Sequence, residues 1–343
     1  MANINIIETC NYRCKYCFAE EFTECGDNKI MDLNTFRTAL EFVARTQDYV
    51  GIIGGEPTLH PQFSEILDEV IKNENIKRFL VFTNGTNLYR YIDRLANSKS
   101  GVLVNYNAPY EIIRQHGEEA GKKLFEKTRE NVIKIRKLMG ERISVGVNIF
   151  DDNTDWSHVV DILKATGIED LRVSTVAPNA HNRDNFNLTY YDTYIKSLIS
   201  LLDQVKDCVR KIVFDCSSPP ACVLNKYKQE LDNLNKYYEN KGSKLNLYSC
   251  SSCKPVIDIT PDLEIVRCFS MSRYKKINLS DFENVLQISE YFEKEIDGIC
   301  YNVKTNFLCE NCEFSKKKMC NGGCMSFALN KAKIIKNFID GVC

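Results

Sequence analysis

Three cysteines stand at Cys10, Cys14 and Cys17, a Cys-x3-Cys-x2-Cys spacing that directly follows the apolar run Ile4-Asn5-Ile6-Ile7. A short strand running into a cysteine-bearing loop brings three thiolates close together. Three sulfurs can hold three corners of a four-iron cubane and leave the fourth iron open, whereas closed electron-carrying clusters usually take four cysteines. The same spacing also suits two zinc ligands with a spare thiol, or three thiols packed in a core. The neighbouring residues have to decide between these.

A second motif, Gly54-Gly55-Glu56-Pro57, follows the apolar stretch Tyr49–Ile53. The two motifs in this order, with the aromatic Tyr16 inside the first, resemble the radical S-adenosylmethionine (SAM) enzymes. The resemblance implies that the open iron chelates the amino and carboxylate groups of SAM's methionine part. It implies that the strand end at Gly54, Gly55, Glu56 and Pro57 offers backbone carbonyls to the SAM ammonium, in a loop geometry that glycine permits. The reduced cluster would then cleave the sulfonium and release a 5′-deoxyadenosyl radical that abstracts hydrogen from an unactivated C–H bond. The protein's part is position and exclusion of water. By the same resemblance Tyr16, Asn84, Asn107 and Asn148 become candidates for SAM binding; Asn at these places also suits ordinary turns.

Length and composition fit this reading. The chain has 343 residues, enough for one large domain and a smaller one. Apolar residues make up 44%, so a sizeable core needs no staples, and a formal net charge of −1 points to neither nucleic acid nor an anionic membrane. No apolar run approaches a membrane span and no secretory segment precedes Cys10, so the expected location is cytoplasmic. In that compartment 16 cysteines suggest metal or redox use over disulfides.

The elements that position the motifs read as six strand–helix units, with strands at Tyr49–Ile53, Arg78–Phe82, Val102–Tyr106, Ile143–Ile149 and Leu171–Val176 following the first run. Helices are expected over Met31–Arg45, Phe63–Lys72, Leu88–Asn97, Glu118–Leu138, Trp156–Ala165 and Tyr190–Val205. This is an α/β pattern with a parallel sheet and right-handed crossovers, best fitted by a partial (β/α)6 TIM-like barrel. Ligands gather at the carboxyl ends of such strands, where both motifs, Thr83-Asn84-Gly85, Asn107 and Asn148 fall. A barrel over 1–206 is expected, then a linker over 207–244 holding a strand at Lys211–Asp215, the Cys216–Cys222 loop and a helix at Val223–Asn240. Cys216 and Cys222 flank a double proline and are read as packing thiols, as are Cys208 and Cys300; Cys25 is left open.

From Cys250 onward the composition changes. Cys250, Cys253 and Cys268 are followed by Cys309, Cys312, Cys320, Cys324 and the terminal Cys343, with no histidine after His181. Eight thiols make two all-thiolate sites, for zinc or for iron–sulfur clusters. Beside the upstream motifs, residues 245–343 resemble the auxiliary-cluster extension called the SPASM domain. The resemblance implies one [4Fe-4S] cluster on Cys250, Cys253, Cys268 and Cys324 and another on Cys309, Cys312, Cys320 and Cys343, three clusters in all with the SAM-binding one. Two features depart from that pattern: Leu263 stands where a glycine is usual, and seven residues separate Cys312 from Cys320 where five are common.

Two closed auxiliary clusters suggest an exit for an electron, hence net oxidation of the substrate. Enzymes with this extension commonly modify peptides or proteins, so the expected function is a radical SAM oxidoreductase that cross-links or dehydrogenates a peptide, as maturases of ribosomal peptides do. A separate leader-binding protein and an external electron donor such as flavodoxin or ferredoxin are the expected partners. Sulfatase maturation is marked down because Phe269, not an acid, follows Cys268. A small-molecule dehydrogenase is the second enzymatic class, and a zinc-stabilised binding protein is the non-enzymatic one. Acid–base candidates are Asp215, Cys216, Asp258 and Asp262; each aspartate also suits an Asx turn or a cap, and Cys216 a packing role. The Lys316–Lys318 run is read as a solvated face.

Overall fold

The computed structural model of the chain describes residues 2–23, 28–175, 188–215, 219–243, 245, 253–272, 274–298, 309–317, 319–320 and 322–326. The chain forms two compact units. The first comprises Met1–Ser144 and Pro255–Glu295, the second Val145–Lys254 and Ile296–Cys343.

The first unit is built on strands β1 (Ala2–Asn5), β2 (Tyr49–Ile53), β3 (Arg78–Thr83) and β4 (Ser100–Asn105), which pair parallel in that order. Three short strands extend it past β1. Strand β8 (Asp258–Ile259) lies parallel to β1, and β9 (Glu264–Val266) and β10 (Ile277–Asn278) follow antiparallel. The sheet of this unit therefore runs β10-β9-β8-β1-β2-β3-β4. Helices α1 (Glu20–Thr23), α2 (Leu33–Ala44), α3 (Phe63–Lys72) and α4 (Ile92–Ala96) connect these parallel strands, and α5 (Pro109–His116) and α6 (Glu118–Met139) follow β4. Asp32 caps α2 by accepting from the amides of Asn34 and Thr35. α11 (Val285–Phe292) follows β10.

Register divides the sheet's two faces. Ile4, Ile52, Val81 and Val102 sit side by side and are wholly buried, the packed face of the core. On the other face Asp258, Asn3, Gly51, Leu80 and Gly101 form one row, and Ile53, Phe82 and Leu103 part of the next. Ile53, Leu80, Phe82 and Asn105 are only half-buried there, and the face is unusually polar at its β1 and β8 end.

The second unit begins within β5 (Ile143–Ile149), at Val145; β5 pairs with β6 (Asp170–Thr175) and β6 with β7 (Lys211–Phe214), all parallel. Its helices are α7 (Ser157–Thr166), α8 (Leu188–Val205), α9 (Ala221–Lys226), α10 (Lys228–Asn240) and the short α12 (Glu313–Lys316). Trp156, at the start of α7, donates its indole N–H to the carbonyl of Ser197 on α8 at 3.1 Å.

The expected α/β class with a mostly parallel sheet is the observed one. Several elements differ in detail. The helix expected at Leu88–Asn97 is a 3-10 turn over Leu88–Arg90 followed by α4, and the helix expected at Val223–Asn240 is divided into α9 and α10 at Tyr227. The sequence reading has no helix at α5 and no strands at β8, β9 or β10.

Candidate active site

The loop after β1 carries Cys10, Cys14 and Cys17, all half-buried. Its entry is bound to the end of β2: the amide of Gly55 donates to the Ile7 carbonyl at 2.7 Å, and that of Glu56 to the Thr9 carbonyl at 2.9 Å. The approach is close enough to demand glycine. A Cβ on Gly54 would stand 2.6 Å from the Ile7 carbonyl oxygen, and one on Gly55 2.7 Å from that of Glu8 and against the Thr9 backbone. The Gly-Gly pair thus joins the two motifs by backbone packing.

Glu56 is buried and holds the next strand end in place. Its carboxylate accepts from the Thr58 amide at 3.1 Å, the Thr58 hydroxyl at 2.5 Å, the Thr83 hydroxyl at 2.7 Å and the Asn84 amide at 2.7 Å. Burial raises its pKa, and these four donors pull it back. Asn84 in turn donates to Asn11 in the cysteine loop at 2.8 Å and accepts from the Thr86 hydroxyl at 2.7 Å, while Asn11 donates to that hydroxyl at 3.0 Å. The Asn84 side chain therefore ties the end of β3 to the cysteine loop.

The unforeseen helix α5 supports the same loop from the other side. Buried Glu111 accepts from the Lys15 amide at 3.1 Å and from Arg114 at 2.8 Å. Arg114 donates onward to the Arg13 carbonyl at 2.8 Å, and the Arg13 amide donates to Gln115 at 2.5 Å. Tyr16 donates its hydroxyl to the Asn107 side chain, whose amide nitrogen lies 3.4 Å from Cys14 Sγ. Gln115 donates to the same sulfur at 3.8 Å, and the Tyr12 amide to Cys10 Sγ at 3.4 Å. Glu111 has no distinctive sequence signal beyond following Pro109 at the start of a helix.

Burial, with the Glu56 charge behind it, pushes the Cys10 thiol up to about 12. Burial likewise pushes Cys14 to about 11, and burial with the charge of the other two thiols raises Cys17. Thiols so placed ionise only beside compensating positive charge, which a coordinated metal supplies. Among the described residues no three His, Cys, Asp or Glu side chains stand at single-ion spacing. Three thiols with N–H groups directed at two of the sulfurs are a donor set that fits an iron–sulfur cluster.

The other predicted residues scatter. Asn148 is the next-to-last residue of β5, in the second unit, and is half-buried. Asp215 follows β7 there and is ion-paired with Arg172. Asp262 is exposed and paired with Lys29. Asp258 is not a turn residue: it sits on β8, fully buried, accepting from the Asn3 side chain at 2.7 Å, and burial raises its pKa to about 7. Around it, Asn3 Oδ1, Asn5 Oδ1 and Thr260 Oγ1 are buried without a hydrogen-bond partner. Cys253, Cys309, Cys312, Cys320 and Cys324 belong to the second unit and Cys268 to the first. Cys25, Cys216, Cys250, Cys300 and Cys343 lie outside the described residues.

Residues 4–166 match the family model described as Radical SAM superfamily. GTP 3′,8-cyclase of Vibrio vulnificus (strain YJ016) is 24% identical over 154 residues, 43% of this chain and 45% of that protein. GTP 3′,8-cyclase of Pasteurella multocida (strain Pm70) is 31% identical over 106 residues, 30% of this chain and 31% of that protein. The chain thus spans less than half the length of these curated relatives. Streptococcus suis SuiB, solved bound to precursor peptide SuiA, shares the fold at a TM-score of 0.65 and 15% identity, covering 97% of this chain and 73% of that one. The cysteine loop and its glycine-tight junction with β2 both fall within residues 4–166, the stretch that is similar to the radical SAM superfamily model.

Proposed function

We propose that the chain is a radical SAM oxidoreductase that removes hydrogen from a peptide or protein substrate and leaves it cross-linked or dehydrogenated. The observation that carries the reading is the junction itself, in which one network of backbone and Glu56 hydrogen bonds holds the three-cysteine loop, Gly54–Pro57 and Asn84 at one end of the strands. When bound, a [4Fe-4S] cluster on Cys10, Cys14 and Cys17 together with SAM would supply reductive cleavage to a 5′-deoxyadenosyl radical and the hydrogen abstraction that follows.

The chain's own residues do the positioning. Asn107, Gln115 and the Tyr12 amide direct N–H groups at the sulfurs and would lower the cost of thiolate charge in a buried loop. Tyr16 and Asn84 stand within the same hydrogen-bonded network and would line the SAM site, with Asn148 as a further candidate. Asn3, Asn5 and Thr260 offer polar atoms that a substrate could engage on the less-packed face, and Asp258 beside them could take a proton near neutral pH. The barrel over 1–206, the linker and the cluster-bearing remainder stay part of this proposal, as do two auxiliary clusters on the later cysteines and an external electron donor.

The fold shared with SuiB along nearly the whole chain supports a peptide substrate. The cyclase relatives support a second reading, a nucleotide-sized substrate, but their likeness is confined to less than half of this chain. Anaerobic turnover with SAM and candidate peptides, read by mass spectrometry, separates the two. Loss of two hydrogens from a peptide is expected. Turnover of GTP with every peptide left unaltered would overturn the peptide reading.

A further inference from the structure

The less-packed face of the first unit's sheet holds a corner of oxygens that no protein donor answers. Asn3 and Asn5 lie two residues apart on β1 and so share this face, and the register sets Asp258 of β8 beside Asn3. Thr260, two residues beyond Asp258, falls beside Asn5 when that register is carried one step on. Asn3 is 6% exposed, and Asn5, Asp258 and Thr260 are 2% exposed each. Asn3 Oδ1, Asn5 Oδ1 and Thr260 Oγ1 nevertheless have no hydrogen-bond partner. Asp258 accepts from the Asn3 side chain at 2.7 Å and from the Phe269 amide, and no lysine or arginine among the described residues is paired with it.

The strands beside this corner leave it room and an apolar floor. β2 passes Asn3 with Gly51, where a Cβ would stand 2.0 Å from Asn3 Oδ1 and 3.3 Å from the Phe82 ring. That glycine is required by space. Ile53, Leu80 and Phe82, on the same face of β2 and β3, are only half-buried. Buried acceptors left open cost folding free energy, so three of them together point to a donor that binds there. Asn3 Oδ1 and Asn5 Oδ1 can only accept, the Thr260 hydroxyl can accept, and the carboxyl group of Asp258 adds a site for positive charge. The matching ligand carries several N–H groups, a positive charge and an apolar stem. A lysine or arginine side chain has all three, with carbons to lie on Ile53 and Phe82 and a head to enter among the oxygens.

We propose that Asn3, Asn5, Asp258 and Thr260 form a receptor for a basic side chain of the peptide substrate. The assignment rests on the peptide reading above and gives that peptide a chemical feature. Asp258 balances the charge of the head, and the three oxygens accept its N–H groups. Asn5 is the last residue of β1, the strand that leads into the cysteine loop, so the anchored side chain belongs to a peptide held at that end of the sheet.

The test uses anaerobically reconstituted full-length protein and three acetylated, amidated glycine peptides with lysine, arginine or norleucine at the centre. Norleucine keeps the stem and lacks the charged head. Ligand-observed NMR gives the dissociation constants, and ammonium chloride serves as a further ligand. The better of the two basic peptides should bind about tenfold or more tightly than the norleucine peptide. That advantage should vanish in Asn5→Leu and in Thr260→Val. Both substitutions delete an oxygen that has no partner, so without peptide each variant should melt no lower than the parent. Equal affinity for all three peptides in the parent would overturn the assignment. So would an advantage that survives both substitutions, or a marked fall in both melting midpoints, the mark of a merely structural role. Ammonium bound with no preference among the peptides would make the corner a site for a free cation and overturn it as well. Hydrogen loss from candidate peptides, read separately by mass spectrometry, reports on the peptide reading itself; found without any preference for basic peptides in binding, it leaves that reading standing and sinks this assignment alone.

Discussion

Single residues in the first unit carry opposite electrostatic burdens. Glu56 is a buried acid whose pKa burial raises and four donors pull back, and its hydrogen bonds make it an internal brace. Asp258 is a buried acid with fewer partners, chiefly the Asn3 side chain, and burial lifts it to about 7 from an ordinary value of 3.8. Between those two values the folded protein holds a proton that the unfolded chain has released. Its contribution to stability is therefore full below about pH 4 and falls as pH rises through 7. Asp258→Asn keeps the bond from Asn3 and removes the titration. The variant should be more stable than the parent at pH 8, by up to about 4 kcal/mol, and the gap should close toward pH 4. Denaturant unfolding at the two pH values measures this; a gap of the same size at both would show that Asp258 does not titrate as described.

At the scale of elements, the site depends on a junction between a loop and a strand end. Gly55 leaves no room for a side chain against Glu8 and Thr9, so even Ala forces the loop and the end of β2 apart. Gly55→Ala should destabilise the first unit by about 1–3 kcal/mol and lower the iron retained at the N-terminal cysteines. A variant with parental iron content and melting midpoint would show that the loop tolerates the shift.

Much of this junction was legible beforehand. Cys10, Cys14, Cys17 and Gly54–Pro57 announce themselves by spacing, the strand Tyr49–Ile53 by a short apolar run, and Ile143–Ile149 by apolar residues at every second position. The supporting parts were not legible. Strand β8 has two residues, too few to show a period, and exists as a strand through its pairing with β1. Helix α5 opens directly after β4 with Pro109, is closed off by Gly117, and its role comes from side-chain bonds to the cysteine loop. Ala221 has no spacing relation to Cys320, whose sulfur its amide meets, because that meeting is a tertiary contact.

On the scale of the whole molecule, the described cysteines are distributed over both units. The three at the start sit half-buried in a loop braced by α5, by the end of β2 and by Asn84. Of the later described cysteines, Cys268 belongs to the first unit and Cys208, Cys222, Cys253, Cys309, Cys312, Cys320 and Cys324 to the second. No helix among the described residues is long and apolar enough to cross a membrane. The central claim is that three cysteines, and not four, serve the reaction with SAM. Quantifying 5′-deoxyadenosine after anaerobic incubation of reconstituted protein with dithionite and SAM tests it most directly. The account predicts steady 5′-deoxyadenosine formation by the parent and none by Cys14→Ala. Equal amounts from both proteins, or none from the parent with its clusters intact, would contradict it.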